Sequence, residues 1–132
     1  GSPGAVPTLP GGPLHPGTDA PSLVALLEMA LDPEAWESFS RGSAIRRAGR
    51  AGFARNVCVA MGNWLASLSP CEPPAEALAV LSFALSDPEP LVRGHAAWAL
   101  GRAAGASAVE VLAFAASSES DPWVLEEIDA EA

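Results

Sequence analysis

The segment from Pro90 to Arg102 constrains the fold of this chain most, because it specifies three sides of one predicted helix. Pro90 suits a first helical turn, where its missing N–H would have had no partner. One side is apolar at helical spacing: Val92, Ala96, Ala99 and Leu100. A second side carries small residues that let another helix approach: Gly94, Ala97 and Gly101. A third side is bulky and partly polar: Leu91, His95, Trp98 and Arg102. Such a helix needs neighbours on more than one side, as the inner helix of a stacked array has.

The same pattern recurs in the chain at two fixed offsets. At an offset of 39 residues, one set of apolar and glycine positions matches another: Val92, Ala96, Ala99, Leu100 and Gly101 match Phe53, Val57, Ala60, Met61 and Gly62. At an offset of 32, a shorter set matches: Pro90, Leu91, Val92 and Ala96 match Pro122, Trp123, Val124 and Ile128. Offsets of this size are typical of paired-helix repeats, which bury their apolar faces by stacking on one another.

The rest of the chain from Ser22 also has helical periodicity, and no stretch alternates with the period of a strand. We therefore predict an all-α repeat domain over residues 22–132, with a plain helical bundle as the alternative. A break near Gly49–Gly52 is expected to divide residues 44–66, and a later helix is expected to turn Val109, Leu112, Ala113 and Ala116 inward. Residues 1–21 are rich in proline and glycine and predict an extended linker, whose first two residues resemble a cloning remnant.

Charge is spread unevenly along the chain. The net charge is −9 and there is no lysine, but five of the seven arginines lie between residues 37 and 72 with no acid among them: Arg41, Arg46, Arg47, Arg50 and Arg55. The acidic sum argues against nonspecific nucleic-acid binding, whereas a local cluster allows one oriented contact with phosphate. The alternative is a solvated face paired with nearby acids. Arg93 and Arg102 are expected to bridge turn carbonyls or acids such as Asp87 and Asp121.

The two cysteines, Cys58 and Cys71, form no metal-binding motif, since there is no C-x-x-C pair and neither histidine is near them in sequence. We expect two free thiols in a reducing compartment. No apolar run reaches the ~18 residues that a membrane span needs. The sequence therefore predicts a cytoplasmic location and no membrane partner.

Three segments carry a resemblance to known families. The pattern V-R-x-x-A-A-x-A-L-G, which begins at Val92, resembles the second helix of a HEAT repeat. The order of three segments and the identity of their residues resemble the C-terminal part of bacterial epoxyqueuosine reductases: residues 41–50, 55–63 and 91–102. The resemblance covers roughly residues 22–128 and implies a HEAT-like α-solenoid of antiparallel helix pairs.

The family resemblance also implies a function. These oxidoreductases of tRNA queuosine biosynthesis reduce epoxyqueuosine to queuosine in the wobble nucleotide, with cobalamin and two four-iron, four-sulfur clusters. Two clusters require eight cysteines and this chain has two, so we expect it to hold no cofactor and to be no enzyme by itself. The resemblance implies that an N-terminal catalytic domain of the same chain is its partner.

In that family the HEAT-like module helps to hold the tRNA. The resemblance thus implies tRNA-binding roles for five residues: Arg41, Arg46, Arg47, Arg50 and Arg55. The alternative is a HEAT-like scaffold that binds a protein partner through its inner helices. Arginines that converge on one surface would favour tRNA, and scattered arginines would favour the scaffold.

Other residues on the repeat helices have a functional and a structural interpretation. Trp64 and Trp98 could stack on a base, but large aromatics on repeat helices usually lie in the core. Asn56 and Asn63 could reach RNA, although we expect them to bond loop carbonyls. His95 could be a ligand or proton donor, but with no second candidate nearby we expect it to be buried or bonded within the fold.

Overall fold

The computed structural model describes residues 19–131, which form seven α-helices and no strand, so the all-α prediction is confirmed for this part of the chain. The helices are α1 (Asp19–Ala30), α2 (Pro33–Ser40), α3 (Gly49–Ser67), α4 (Ala75–Ala84), α5 (Pro90–Gly101), α6 (Ala106–Ala116) and α7 (Pro122–Glu131). The predicted linker lies outside the described residues up to residue 18. Its last three residues begin α1, which tolerates Pro21 in its first turn.

Aspartate–proline pairs set the beginnings of two helices. Asp32 caps α2, since its Oδ1 accepts a hydrogen bond of 3.0 Å from the backbone N–H of Glu34. Asp121 does the same for α7, where its Oδ1 accepts from the N–H of Trp123 at 2.9 Å. Each cap satisfies an N–H that has no partner inside the helix, and the proline that follows has no N–H to satisfy. These two caps therefore set the residues at which α2 and α7 begin.

The predicted break before α3 is confirmed at Gly49. Residues Ala44–Ala48 form a 3-10 turn, and Gly49 then has a φ of +77°, in the left-handed region that favours glycine. A continuous helix across this point would require φ near −63°. The residues before Gly49 therefore do not share the helical periodicity of those after it.

The inner helices α3, α5 and α7 pack side by side with α5 in the middle, which confirms the repeat interpretation. Glycines allow the close approach at both steps of the stack. A Cβ added at Gly62 of α3 would overlap the Trp98 ring and lie 3.1 Å from the Ala99 Cα, and one added at Gly94 of α5 would overlap the Trp123 ring. Of the positions matched at an offset of 39, Phe53, Ala60 and Gly101 are half-buried. The others include five that are buried at the centre of this stack: Val57, Met61, Ala96, Ala99 and Leu100.

The sequences of the outer helices α4 and α6 align with each other at an offset of 31 residues. Two buried positions coincide, since Ala77 and Leu81 in α4 match Ala108 and Leu112 in α6. The counterparts of the buried Val80 and Ala84 are half-buried in α6. The prediction that Val109 and Ala113 face inward is wrong, since both are exposed. The corresponding side of α4 faces α6, whereas among the described helices nothing packs on that side of α6.

Between residues 19 and 131, none of the helices combines the length and apolar character that crossing a bilayer requires.

Candidate functional site

The connection between α2 and α3 carries three of the five arginines in the predicted cluster. Gly42, with a φ of +73°, turns the chain after Arg41, and the N–H of Ser43 donates to the Ser40 carbonyl at 2.9 Å. Ser43 Oγ then accepts from the N–H of Ile45 at 3.3 Å, which starts the 3-10 turn. This compact connection places Arg41, Arg46 and Arg47 at the surface.

Arg46 forms hydrogen bonds to two residues of α2. Its Nη2 donates to Glu37 Oε2 at 2.7 Å, and its Nη1 donates to Ser40 Oγ at 3.2 Å. Both members of the ion pair are about half exposed, so the pair contributes little to stability. Water or another anion competes readily with Glu37 at such a site.

Arg50 does not lie on an exposed surface with Arg46 and Arg47, because the structure gives it a buried acidic partner and so removes it from the accessible cluster. Its Nη1 and Nη2 donate to the two carboxylate oxygens of Asp87 at 3.0 and 2.9 Å, and its Nη1 also donates to the Ala30 carbonyl at 2.9 Å. The two side chains are only 16% and 4% exposed. The hydrogen bonds that Arg50 donates to Asp87 outweigh desolvation by burial and raise the pKa of Arg50, which stays charged. Asp87 occupies the end of this guanidinium and the side chain is largely buried, so it offers little surface to a phosphate.

Arg93 repeats this arrangement one step further along the stack. It donates to both carboxylate oxygens of Glu119, at 2.9 and 3.0 Å, and to the carbonyls of Asp87 and Pro88. The predicted structural role of Arg93 is confirmed, but its acidic partner is Glu119, which sequence reasoning missed. Burial opposes ionisation of Glu119, but hydrogen bonds from Arg93 and from nearby backbone N–H groups outweigh it and lower the pKa of this carboxyl.

Arg41, Arg47 and Arg55 form no ion pair within residues 19–131. Arg41 and Arg47 are exposed, and Arg55 is half-buried on α3, where its Nε donates to Asn56 Oδ1 at 3.2 Å. Arg41, Arg46 and Arg47 lie on the connection before α3 and Arg55 lies on α3, and we call these four accessible arginines the arginine surface. It contains four of the five predicted residues.

The inner helices also carry polar and aromatic side chains at their accessible edge. His95 bonds within its own helix, with Nδ1 2.8 Å from the Leu91 carbonyl oxygen, and its ring lies 5.7 Å from the Trp123 ring. The expectation of a partner-bonded histidine is confirmed. The Arg102 guanidinium carbon lies 5.5 Å from the centre of the Trp98 ring, a cation–π arrangement rather than a bridge to an acid.

The expectations for Trp64, Trp98 and the two asparagines have different outcomes. Trp64 and Trp98 are half-buried against the core, as expected. Asn56 bonds no loop carbonyl: its side chain is exposed and accepts from Arg55, because its position on α3 faces away from the stack. Asn63 is exposed as well, two turns further along the same helix.

The cysteines do not fit the clusters that the family resemblance implies. A four-iron, four-sulfur cluster takes four thiolates, and the chain has two cysteines, one buried and one exposed. Burial raises the pKa of the Cys58 thiol to about 12, which disfavours the thiolate that a metal requires. Nowhere in the described part of the chain do three metal-ligating side chains of His, Cys, Asp or Glu gather.

Comparison with known proteins is consistent with this geometry. The family of HEAT repeats matches residues 40–130. A solved structure, the crystal structure of selenomethionine-labelled epoxyqueuosine reductase, superimposes with a TM-score of 0.66 at 26% sequence identity. The match covers 89% of this chain and 31% of that one, so the chain spans about a third of that protein's length. No curated protein sequence matches.

Proposed function

Because the chain belongs to the HEAT-repeat family, we propose that it is a docking domain with no chemistry of its own, which holds tRNA for a protein similar to epoxyqueuosine reductase. On this proposal the catalytic domain and its cofactors lie outside this chain, and the setting is queuosine modification of tRNA in the cytoplasm. The observation that carries it is the arginine surface: Arg41, Arg46, Arg47 and Arg55 remain accessible in a stretch that contains no acid.

The chemistry of these residues suits phosphate. Arginine presents a planar fork of N–H donors that matches two phosphate oxygens, and it stays charged at any physiological pH. Arg41 and Arg47 have no carboxylate partner in the described part of the chain, so a phosphate would displace only water from them. Arg46 would exchange an exposed glutamate for a phosphate, at little cost in folding free energy.

The charge on the rest of the domain supports an oriented contact. Apart from these five arginines the chain carries a net −14, and α4 and α6 contain no basic residue. Repulsion from that acidic body disfavours RNA on the other surfaces. The arginine surface would therefore set the direction of docking as well as its strength.

The experiment measures tRNA binding by the full chain in a salt series from about 50 to 300 mM, where each phosphate contact contributes a slope of roughly −0.7 to −0.9. The double variant Arg41→Ala/Arg47→Ala should weaken binding and flatten the slope by roughly one to two units. Arg102→Ala is the matched control, since it removes an exposed arginine outside the cluster. Unchanged affinity of the double variant across the series would reject tRNA docking by the arginine surface.

A protein-binding scaffold is the second candidate, and one observation favours it. Phe83 and Phe114 are large exposed apolar side chains, and both lie on outer helices rather than on the inner helices that the sequence suggested. The helices α4 and α6 contain none of the four arginines, so protein binding and RNA docking would use different elements of the domain.

A further inference from the structure

Phe83 and Phe114 occupy the same position on consecutive outer helices. The two helices align at an offset of 31 residues with seven identities: Ala75, Ala77, Val80, Leu81, Phe83, Ala84 and Ser86 match Ala106, Ala108, Val111, Leu112, Phe114, Ala115 and Ser117. Several of these positions recur because they are buried against the inner helices. The phenylalanines are 65% and 80% exposed, so packing inside the domain does not account for them.

Each phenylalanine borders a groove between two helices: Phe83 lies between α1 and α4, and Phe114 lies between α4 and α6. Phe83 lines a cavity of about 260 Å³ with Glu28 of α1 and with Ala79 and Val80 of its own helix. Phe114 lines a smaller cavity of about 90 Å³ between α4 and α6, with Leu85 and Val111 among its walls. An apolar side chain placed in these grooves would contact a phenylalanine ring and bury surface that is now in water.

The charges around these grooves restrict what fits them. The helices α1, α4 and α6 contain no lysine or arginine. Glu28 lies in the groove beside Phe83, and Glu110 lies one helical turn before Phe114 on α6. A ligand with apolar side chains flanked by positive charge is complementary to this surface, and an acidic ligand is repelled.

We propose that the outer face of α4 and α6, formed by Phe83, Phe114, Glu28 and Glu110, docks a cationic amphipathic helix of a protein partner. Residues of α4 and α6 line one groove together, and residues seven apart on a partner helix are about 10 Å apart along its axis. One partner helix running across α4 and α6 would place apolar side chains in the two grooves and basic side chains toward Glu28 and Glu110. This recognition mode is a helix held by its apolar face.

The test uses two synthetic helical peptides of about 18 residues with the same leucine face, one with lysines on its polar face and one with glutamates. Calorimetric titration of the full chain should show binding of the lysine peptide and none of the glutamate peptide. Phe83→Ala/Phe114→Ala should weaken binding at least about tenfold. Glu28→Gln/Glu110→Gln should also weaken it and reduce its salt dependence. Val109→Ala is the matched control: this residue is 52% exposed on the other edge of α6, and binding should stay within about twofold of wild type.

Three results would overturn the proposal. The first is equal affinity of the lysine peptide for wild type and for the double phenylalanine variant, when thermal melting shows both to be folded. The second is binding of both peptides with similar affinity, which would make the contact nonspecific. The third is self-association of the unmixed wild type in sedimentation velocity that the phenylalanine variant abolishes, which would make the occupant a second copy of this chain.

Discussion

Arg50 and Asp87 form a two-bond ion pair across 37 residues of sequence, with both distances between donor and carboxylate oxygen at 3.0 Å or less. The same guanidinium reaches the Ala30 carbonyl, so one side chain joins the end of α1, the first turn of α3 and the loop before α5. Asp87 also accepts from the N–H of Glu89 at 3.0 Å and so supports the turn into α5. An arginine that seemed suited to RNA thus holds successive repeats together.

Replacing Arg50 by alanine should lower the free energy of unfolding by about 3 kcal/mol, because it leaves the buried Asp87 carboxylate without its charged partner. Urea denaturation followed by circular dichroism measures the change. Arg47→Ala removes the same charge from an exposed position and should change stability by less than about 0.5 kcal/mol. Equal denaturation midpoints for the two variants would refute the structural role of Arg50.

Glycine-to-alanine changes should have opposite signs at two positions of α3. Gly62→Ala should destabilise the fold by about 1–3 kcal/mol, since its Cβ would overlap the Trp98 ring and crowd the α5 backbone. Gly52→Ala meets nothing closer than 3.6 Å and should stabilise the helix by up to about 1 kcal/mol. Thermal melting of both variants tests the closeness of α3 and α5, and stabilisation by Gly62→Ala would contradict it.

Stability should depend on pH through Glu119. Its pKa is lowered in the folded state, so its contribution is complete above the unfolded-state pKa of about 4.3 and is lost as pH falls through the lower folded-state value. Glu119→Gln keeps the shape but cannot ionise, and should be less stable than wild type at pH 7. The urea denaturation midpoints of wild type and Glu119→Gln should converge as the pH is lowered from 7 to 3. A constant gap over that range would show that the ionised form of Glu119 is not preferentially stabilised.

The two cysteines should differ sharply in reactivity. With a pKa of about 12, Cys58 has a thiolate fraction of only about 10⁻⁴ at pH 8, and it is also shielded from reagent by burial. Ellman's reagent should modify one thiol in the native protein, Cys71, and two in denaturant. The Cys71→Ser variant should give none until it unfolds, and rapid native modification of that variant would contradict the burial of Cys58.

The repeat organisation could be predicted from sequence because the core positions of each inner helix recur at fixed offsets. Val57 and Ala96, for example, are matched at an offset of 39 and both are buried. The arginine cluster could be predicted only in part. The sequence places Arg47 and Arg50 in one local cluster, but the turn at Gly49 separates them and Arg50 bonds the buried Asp87. Its partner Asp87 is too far away in sequence for any local pattern to reveal.

Two further features were missed for different physical reasons. The offset of 31 that pairs Phe83 with Phe114 is visible in the sequence, but hydrophobic periodicity assigns apolar residues to a core and gives no signal for an exposed one. Val109 was assigned inward by the same reasoning. Its α4 counterpart Leu78 is half-buried against the core, whereas Val109 itself is exposed.

The close packing of the inner helices has a mechanical consequence. The helices α3, α5 and α7 touch as neighbours, whereas α4 and α6 make little direct contact with each other. Any change in the curvature of the array would therefore be larger at the outer edge than at the inner edge, where Gly62 packs closely against Trp98. The separation of Phe83 and Phe114 measures that curvature. A rigid partner that contacts both phenylalanine rings would fix their separation and would therefore restrict changes in the curvature of the domain.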